Sequence, residues 1–168
     1  MKRAIHIIGS SVLATSCMTA FSYLASRLAD KNFREPEILT GMASRFCHAA
    51  TDQLPFLPTG WLLHYLFGAA WSPIQYEFHQ YRKLKTGNLD ALRFGACGGL
   101  IGVLAWDWMM QVAKYRPPVR KREFYSHLVL AHLIYSLTLW QLLKRGINDQ
   151  LGPKPILSLA HNLPMDIL

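Results

Sequence analysis

Four stretches of this chain stay apolar for roughly 20 residues or more each, enough helix at about 1.5 Å per residue to cross a hydrocarbon layer of ~30 Å. They cover residues 5–28, 59–78, 91–113 and 124–143. Few folds can use such stretches. In hydrocarbon every backbone N–H and C=O must be satisfied within the segment, and an isolated apolar run can do that only as a helix. The predicted fold is therefore all-α and integral to a membrane: a four-transmembrane-helix bundle forming a single domain over residues 1–168, with a tail at 144–168. Composition agrees, since 51% of the 168 residues are hydrophobic and 17% are charged, against about a quarter charged in soluble domains. A mean hydropathy of only +0.12 requires the spans to alternate with distinctly polar loops.

The loops punctuate the chain. Lys2 and Arg3 precede the first span, an arrangement shared with a cleaved signal peptide that would end near Ala14 or Cys17. The apolar run continues past Cys17 through Met18, Phe21, Tyr23 and Leu24, which favours a retained span. Asp30, Lys31, Arg34, Glu35 and Glu37 open a polar first loop, in which Ile38, Met42 and Phe46 recur every four residues. That spacing predicts a short interfacial helix around residues 38–47. Pro55 and Pro58 lead into the second span, where Trp61, Trp71 and Tyr76 suit interface anchoring. Residues 82–90 read as a polar turn, 114–122 as a basic connection broken by proline, and the segment from Lys144 onward as an extended or weakly interfacial tail carrying Gly146, Gly152, Pro153, Pro155 and Pro164.

A net charge of +8 could suggest nucleic acid, but the Lys and Arg residues lie between the apolar segments and no recognition motif accompanies them. Membrane lipid headgroups are the expected partners of these loops, and nucleic acid is not. Four crossings put both termini on one side, with nine Lys or Arg residues on each side of the membrane, so the positive-inside rule does not fix the orientation. Lys2, Arg3 and the basic turn after the second span argue for termini inside; Arg120, Lys121 and Arg122 argue against. Cys17, Cys47 and Cys97 have no metal-ligand or redox spacing and read as small buried hydrophobes.

Helical periodicity gives the spans faces. Ser11, Thr15, Thr19, Ser22 and Ser26 form one stripe of the first span, and Gly60, His64, Gly68, Ser72, Gln75 and His79 one stripe of the second, with Pro73 predicting a bend. Gly95, Gly99 and Gly102, with Gly98 beside them, predict that the third span is the tightly packed centre of the bundle. His64, Asp107, His127 and His132 are the ionisable residues inside the spans, where each needs a partner. Alternating topology brings His64, Asp107 and His127 to similar depth in one half of the bilayer, with His132 nearer the middle. The expected polar cluster is thus His64, Asp107, His127 and His132, with Asp107 pointing inward to within reach of His127 or His64. It would either fix helix register or handle protons, and Lys114 and Arg116 are alternative partners for Asp107.

Gly9 to Met18, the run Gly60-Trp61-Leu62-Leu63-His64-Tyr65-Leu66-Phe67-Gly68, the glycine-rich third span and Ala131-His132-Leu133-Ile134-Tyr135 resemble the small four-pass bacterial inner-membrane proteins of the YagU-like and related uncharacterised groups. The resemblance covers most of the chain. It implies a four-helix protein of the bacterial inner (plasma) membrane, with His64 and His132 where that pattern carries histidine, and it implies no reaction. Asp107, flanked by Trp106 and Trp108, and the long first loop depart from the pattern.

The chain has no Walker loop, G-x-S-x-G elbow or H-E-x-x-H. The first expectation is accordingly a non-enzymatic accessory or stress-related membrane component, with no catalytic residue and no cofactor, working as a homo-oligomer or within a larger membrane complex. A small transporter or proton-handling protein using Asp107 and the histidines is the second. The third is a b-type haem or metal protein, with His64 and either His127 or His132 as ligands.

Overall fold

The computed structural model describes residues 2–47, 57–81, 87–116 and 119–150. Within them the chain is helical: α1 (Lys2–Ala29), α2 (Glu35–Cys47), α3 (Leu57–Tyr81), α4 (Asn88–Val112) and α5 (Lys121–Gln150), with no strand among the described residues. The turn at 82–86, Pro55 and the tail beyond 150 lie outside the described residues. Three helices, Arg3–Ala29, Asn88–Val112 and Lys121–Arg145, are long and apolar enough to cross a membrane. α3 is as long as α4, at 25 residues. Its two histidines, Gln75, Pro73 and polar-tipped aromatic residues hold its mean hydropathy lower.

The helices outrun the apolar stretches that predict them. α5 continues past Lys144, where the sequence predicts the tail to begin, and on through Arg145 to Gln150. Lys, Arg and Gln form helix nearly as well as Leu, so a helix stops at a cap and not at the edge of an apolar run. α1 ends where Asp30 takes a left-handed φ of 52°. There the Lys31 N–H donates to the Ser26 carbonyl at 3.1 Å and the Phe33 N–H to Ser26 Oγ at 2.9 Å. Asp90, in the first turn of α4, accepts the Gly87 N–H at 3.4 Å. Pro73 removes the N–H that would bond the Ala69 carbonyl, and Ser72 Oγ donates to that carbonyl instead, at 3.0 Å.

The bundle is antiparallel by neighbour. α1 meets α5 from Lys31–Glu123 (2.9 Å) at one end, and α3 from Thr19–His64 (2.9 Å) to Arg3–Glu77 (3.3 Å). α4 runs against α5 from Asp107–Lys121 (2.7 Å) to Asn88–Gln141 (2.6 Å). The centre is α5, which packs on α4, α1 and α3, and not α4 as the glycines suggest. The glycine face of α4 does receive a helix: a Cβ on Gly95 would approach Ser136 Cβ to 2.8 Å, one on Gly99 would approach Val129 Cα to 2.9 Å, and one on Gly102 would meet the His132 ring at 2.9 Å. One flat face seats one neighbour, and α4's other side, with Leu100, Ile101 and Leu104, is exposed.

Polarity is arranged inside out. Ser11, Thr15, Thr19, Ser22, Ser26, Glu35, His64, Ser72, Gln75, His79 and His127 are buried, while Ile5, Ile8, Leu13, Leu62, Leu66, Phe67, Ile74, Leu100 and Leu104 are exposed. Such a surface is costly in water and ordinary in lipid. Cys17 and Cys97 belong to that outer surface; both are exposed and free, contrary to the expectation of buried cysteines.

α2 also differs from expectation. It is helical, but its apolar face turns into the protein. Ile38, Leu39 and Met42 pack with Trp106, Met110, Phe124 and Leu128 in a buried cluster that closes one end of the bundle. Gly60 makes this docking feasible: the backbone of α2 at the Pro36 carbonyl and Thr40 N, with Thr40 Oγ1, occupies the space a side chain there would fill.

Candidate functional site

Beneath α2, three helices contribute one polar constellation. Glu35, the first residue of α2, shares the phase of Ile38, Leu39 and Met42 (i, i+3, i+4, i+7) and so lies on the buried face, with none of its surface exposed. Ser22 Oγ of α1 donates to Glu35 Oε1 at 2.7 Å. His127 Nε2 of α5 lies 2.9 Å from Ser22 Oγ and 3.3 Å from Glu35 Oε1. The single serine proton has the Glu35 carboxylate and the Met18 carbonyl, at 3.1 Å, as acceptors, and on either one it leaves His127 Nε2 as the donor to both Ser22 Oγ and Glu35 Oε1. Phe21 and Phe33 stack on the imidazole, with ring centroids 5.3 and 4.7 Å away. Glu35 Oε2 is buried and has no hydrogen-bond partner.

His64 is fixed by the same logic. Thr19 Oγ1 donates to the Thr15 carbonyl at 2.8 Å, so its contact with His64 Nε2 at 2.9 Å must be donated by the imidazole, which leaves Nδ1 as an acceptor. His132 Nδ1 lies 2.8 Å from the Leu128 carbonyl and can only donate to it, leaving Nε2 as an acceptor.

Glu35, His64 and His132 line a cavity of about 490 Å³. Its walls are α3 and α4, its floor is Thr15 and Met18 of α1 with His132 and Tyr135 of α5, and α2 closes one end. Phe67, Ile74, Ile101 and Trp108 on its rim are also exposed on the outer surface, so it is a cleft that opens sideways between α3 and α4. Toward the other end of the bundle Trp71 closes the gap, lying over Gly98 at 3.3 Å from the position of a Cβ and beside Phe94.

Of the four expected cluster residues, His64 and His132 line the cleft and His127 stands behind Glu35. Asp107 belongs elsewhere. Its carboxylate is one-third exposed, is bound by Lys121 Nζ at 2.7 Å and accepts from Tyr125 and Gln111, joining the end of α4 to the start of α5. The buried face of α4 carries Gly95, Gly98, Gly99, Trp106 and Met110, and Asp107 falls on its flank toward α5. The carboxylate that meets His127 is instead Glu35, which the sequence reading leaves in a polar loop. Its helical phase with Ile38, Leu39 and Met42 is the signal that places it inside.

A haem or metal would find His127 Nε2 already committed to Ser22 and Glu35 and both ring faces covered, so that of the three expected ligands His64 and His132 keep an open acceptor nitrogen. Among the described residues no group of three or more His, Cys, Asp or Glu is arranged to hold a metal ion. A second buried polar set joins α3, α5 and α4 in the other half: Gln75 Nε2 donates to the Ser136 carbonyl and Ser136 Oγ to the Ala91 carbonyl, each at 2.7 Å, and His79 packs 4.1 Å from Trp140. These bonds tie helices together.

No protein-family model, curated protein or solved structure matches the chain.

Proposed function

We propose that the protein is a non-catalytic, four-span component of a membrane, in bacteria the inner membrane, whose lateral cleft takes up a lipid-soluble ligand. Parity supports the fourth crossing. The Lys31–Glu123 and Asp107–Lys121 pairs gather the end of α1, the end of α4 and the start of α5 at one side. With α1, α4 and α5 as spans, the chain between residues 30 and 87 must pass from that side to the other, and α3 is the helix that covers the distance. Its outward Leu62, Leu66, Phe67 and Ile74 suit lipid, and its inward His64, Gly68 and Gln75 suit the bundle.

The observation that carries the ligand reading is the cleft itself. It falls within the ~300–1,000 Å³ usual for small-molecule sites, opens toward the zone where lipid chains would lie, and is apolar apart from a few polar groups at its inner wall. An accessory or stress-related role fits a binding component of this kind. In bilayer discs of zwitterionic lipid, a photoreactive alkyl-diazirine alcohol is expected to label Thr15, Met18 or His132, on the cleft floor, saturably and in competition with excess decanol. Labelling confined to outward residues such as Leu24 and Leu28 would remove the cleft from the account.

A further inference from the structure

We propose that the ligand of the cleft is a lipophilic amine, an apolar body with a protonated amino head, and that Glu35 Oε2 receives the head. The proposal rests on the cleft reading above and names its ligand class. A buried carboxylate oxygen without a partner gives up hydration for nothing unless a donor arrives, and a cation repays that loss best. Glu35 is fully buried, it lines the cleft, and Ser22 and His127 engage only its Oε1.

The surroundings select against other heads. The hydrogen bonds that His64 and His132 make leave each with an acceptor nitrogen, and with Glu35 Oε2 the residues lining the cleft carry three acceptor atoms. The described lining residues include no Lys or Arg to hold a carboxylate or phosphate, and Glu35 would repel either. A neutral alcohol could satisfy one acceptor; an ammonium offers up to three donors and a charge. Trp106, which lines the cleft and packs against α2 at the Glu35 end, adds an aromatic ring to which an ammonium is attracted and an alcohol is largely indifferent. His127 holds Glu35 in place from behind without touching the cleft, so it is a positioning residue.

The test uses the full chain in zwitterionic bilayer discs near pH 7, with decylamine and decanol as competitors of the alkyl-diazirine alcohol at matched membrane mole fractions. Decylamine is expected to compete at least about tenfold more effectively than decanol, the scale of one charge-assisted contact. Glu35→Gln, which keeps an acceptor for Ser22 and His127 but removes the charge, should erase that advantage, so that decylamine competes no better than decanol in the variant. Equal competition by amine and alcohol in the unmodified protein overturns the proposal while leaving the cleft reading intact. Absence of saturable labelling overturns the cleft reading and the proposal with it. The comparison of competitors is made on the unmodified protein, so a Glu35→Gln chain that failed to fold would still leave a decisive result.

Discussion

Replacing His127 with Leu is expected to destabilise the protein by about 3–5 kcal/mol, the scale of breaking a buried pair from one side. Leucine keeps the apolar contact with Phe21 and Phe33 but removes the donor 3.3 Å from Glu35 Oε1. Glu35 would be left fully buried with Ser22 as its one remaining partner. Adding Glu35→Leu to that variant removes the stranded carboxyl group, so the double variant should be more stable than His127→Leu alone. Thermal unfolding in a mild detergent measures both. A double variant less stable than either single one would show that Glu35 and His127 do not act as a pair.

Gly60→Ala is expected to reach or exceed the upper end of the roughly 1–3 kcal/mol typical of overpacking. The obstacle is mostly backbone, the Pro36 carbonyl and Thr40 N of α2, which cannot rotate out of the way as a side chain could. The loss should be local first: α2 lifts from α3, so amide exchange should accelerate at Ile38, Leu39 and Met42, and the cluster with Trp106 and Phe124 should open. Gly9→Ala is the control. Nothing lies within 4 Å of a Cβ there, and Ala favours helix over Gly by about 1 kcal/mol, so that variant should be no less stable than the parent. Equal behaviour of the two variants would contradict the docking of α2 on α3.

Much of the architecture was legible because membrane helices announce themselves by length and apolarity. The inward stripe of α1 and the glycine face of α4 were readable from spacing alone, since helical phase fixes which residues share a side. Which helix that glycine face receives was not, because spacing identifies a face and not its neighbour. α5, the central helix, carries no comparable glycine stripe. Asp107 misled for a related reason: position along a span does not give direction around the helix, and that direction, one position on from the inward Trp106, decides its partners. Glu35 went unnoticed because it stands in a run of charged residues, Asp30 to Glu37, that reads as solvated loop ahead of the helix expected at 38–47. Only its phase with Ile38, Leu39 and Met42 marks it as buried.

A four-span bundle requires α3 to cross the membrane, and the sidedness of three exposed positions tests this most directly. In a chain with Cys17, Cys47 and Cys97 replaced by Ser, single substitutions Lys31→Cys, Gly87→Cys and Arg120→Cys are labelled in intact membranes with an impermeant maleimide. Four crossings predict that positions 31 and 120 label from the same side and position 87 from the opposite one. Labelling of 31 and 87 from one side, with 120 opposite, would mean that α3 does not cross, and would contradict both the four-span bundle and the lateral cleft built on it.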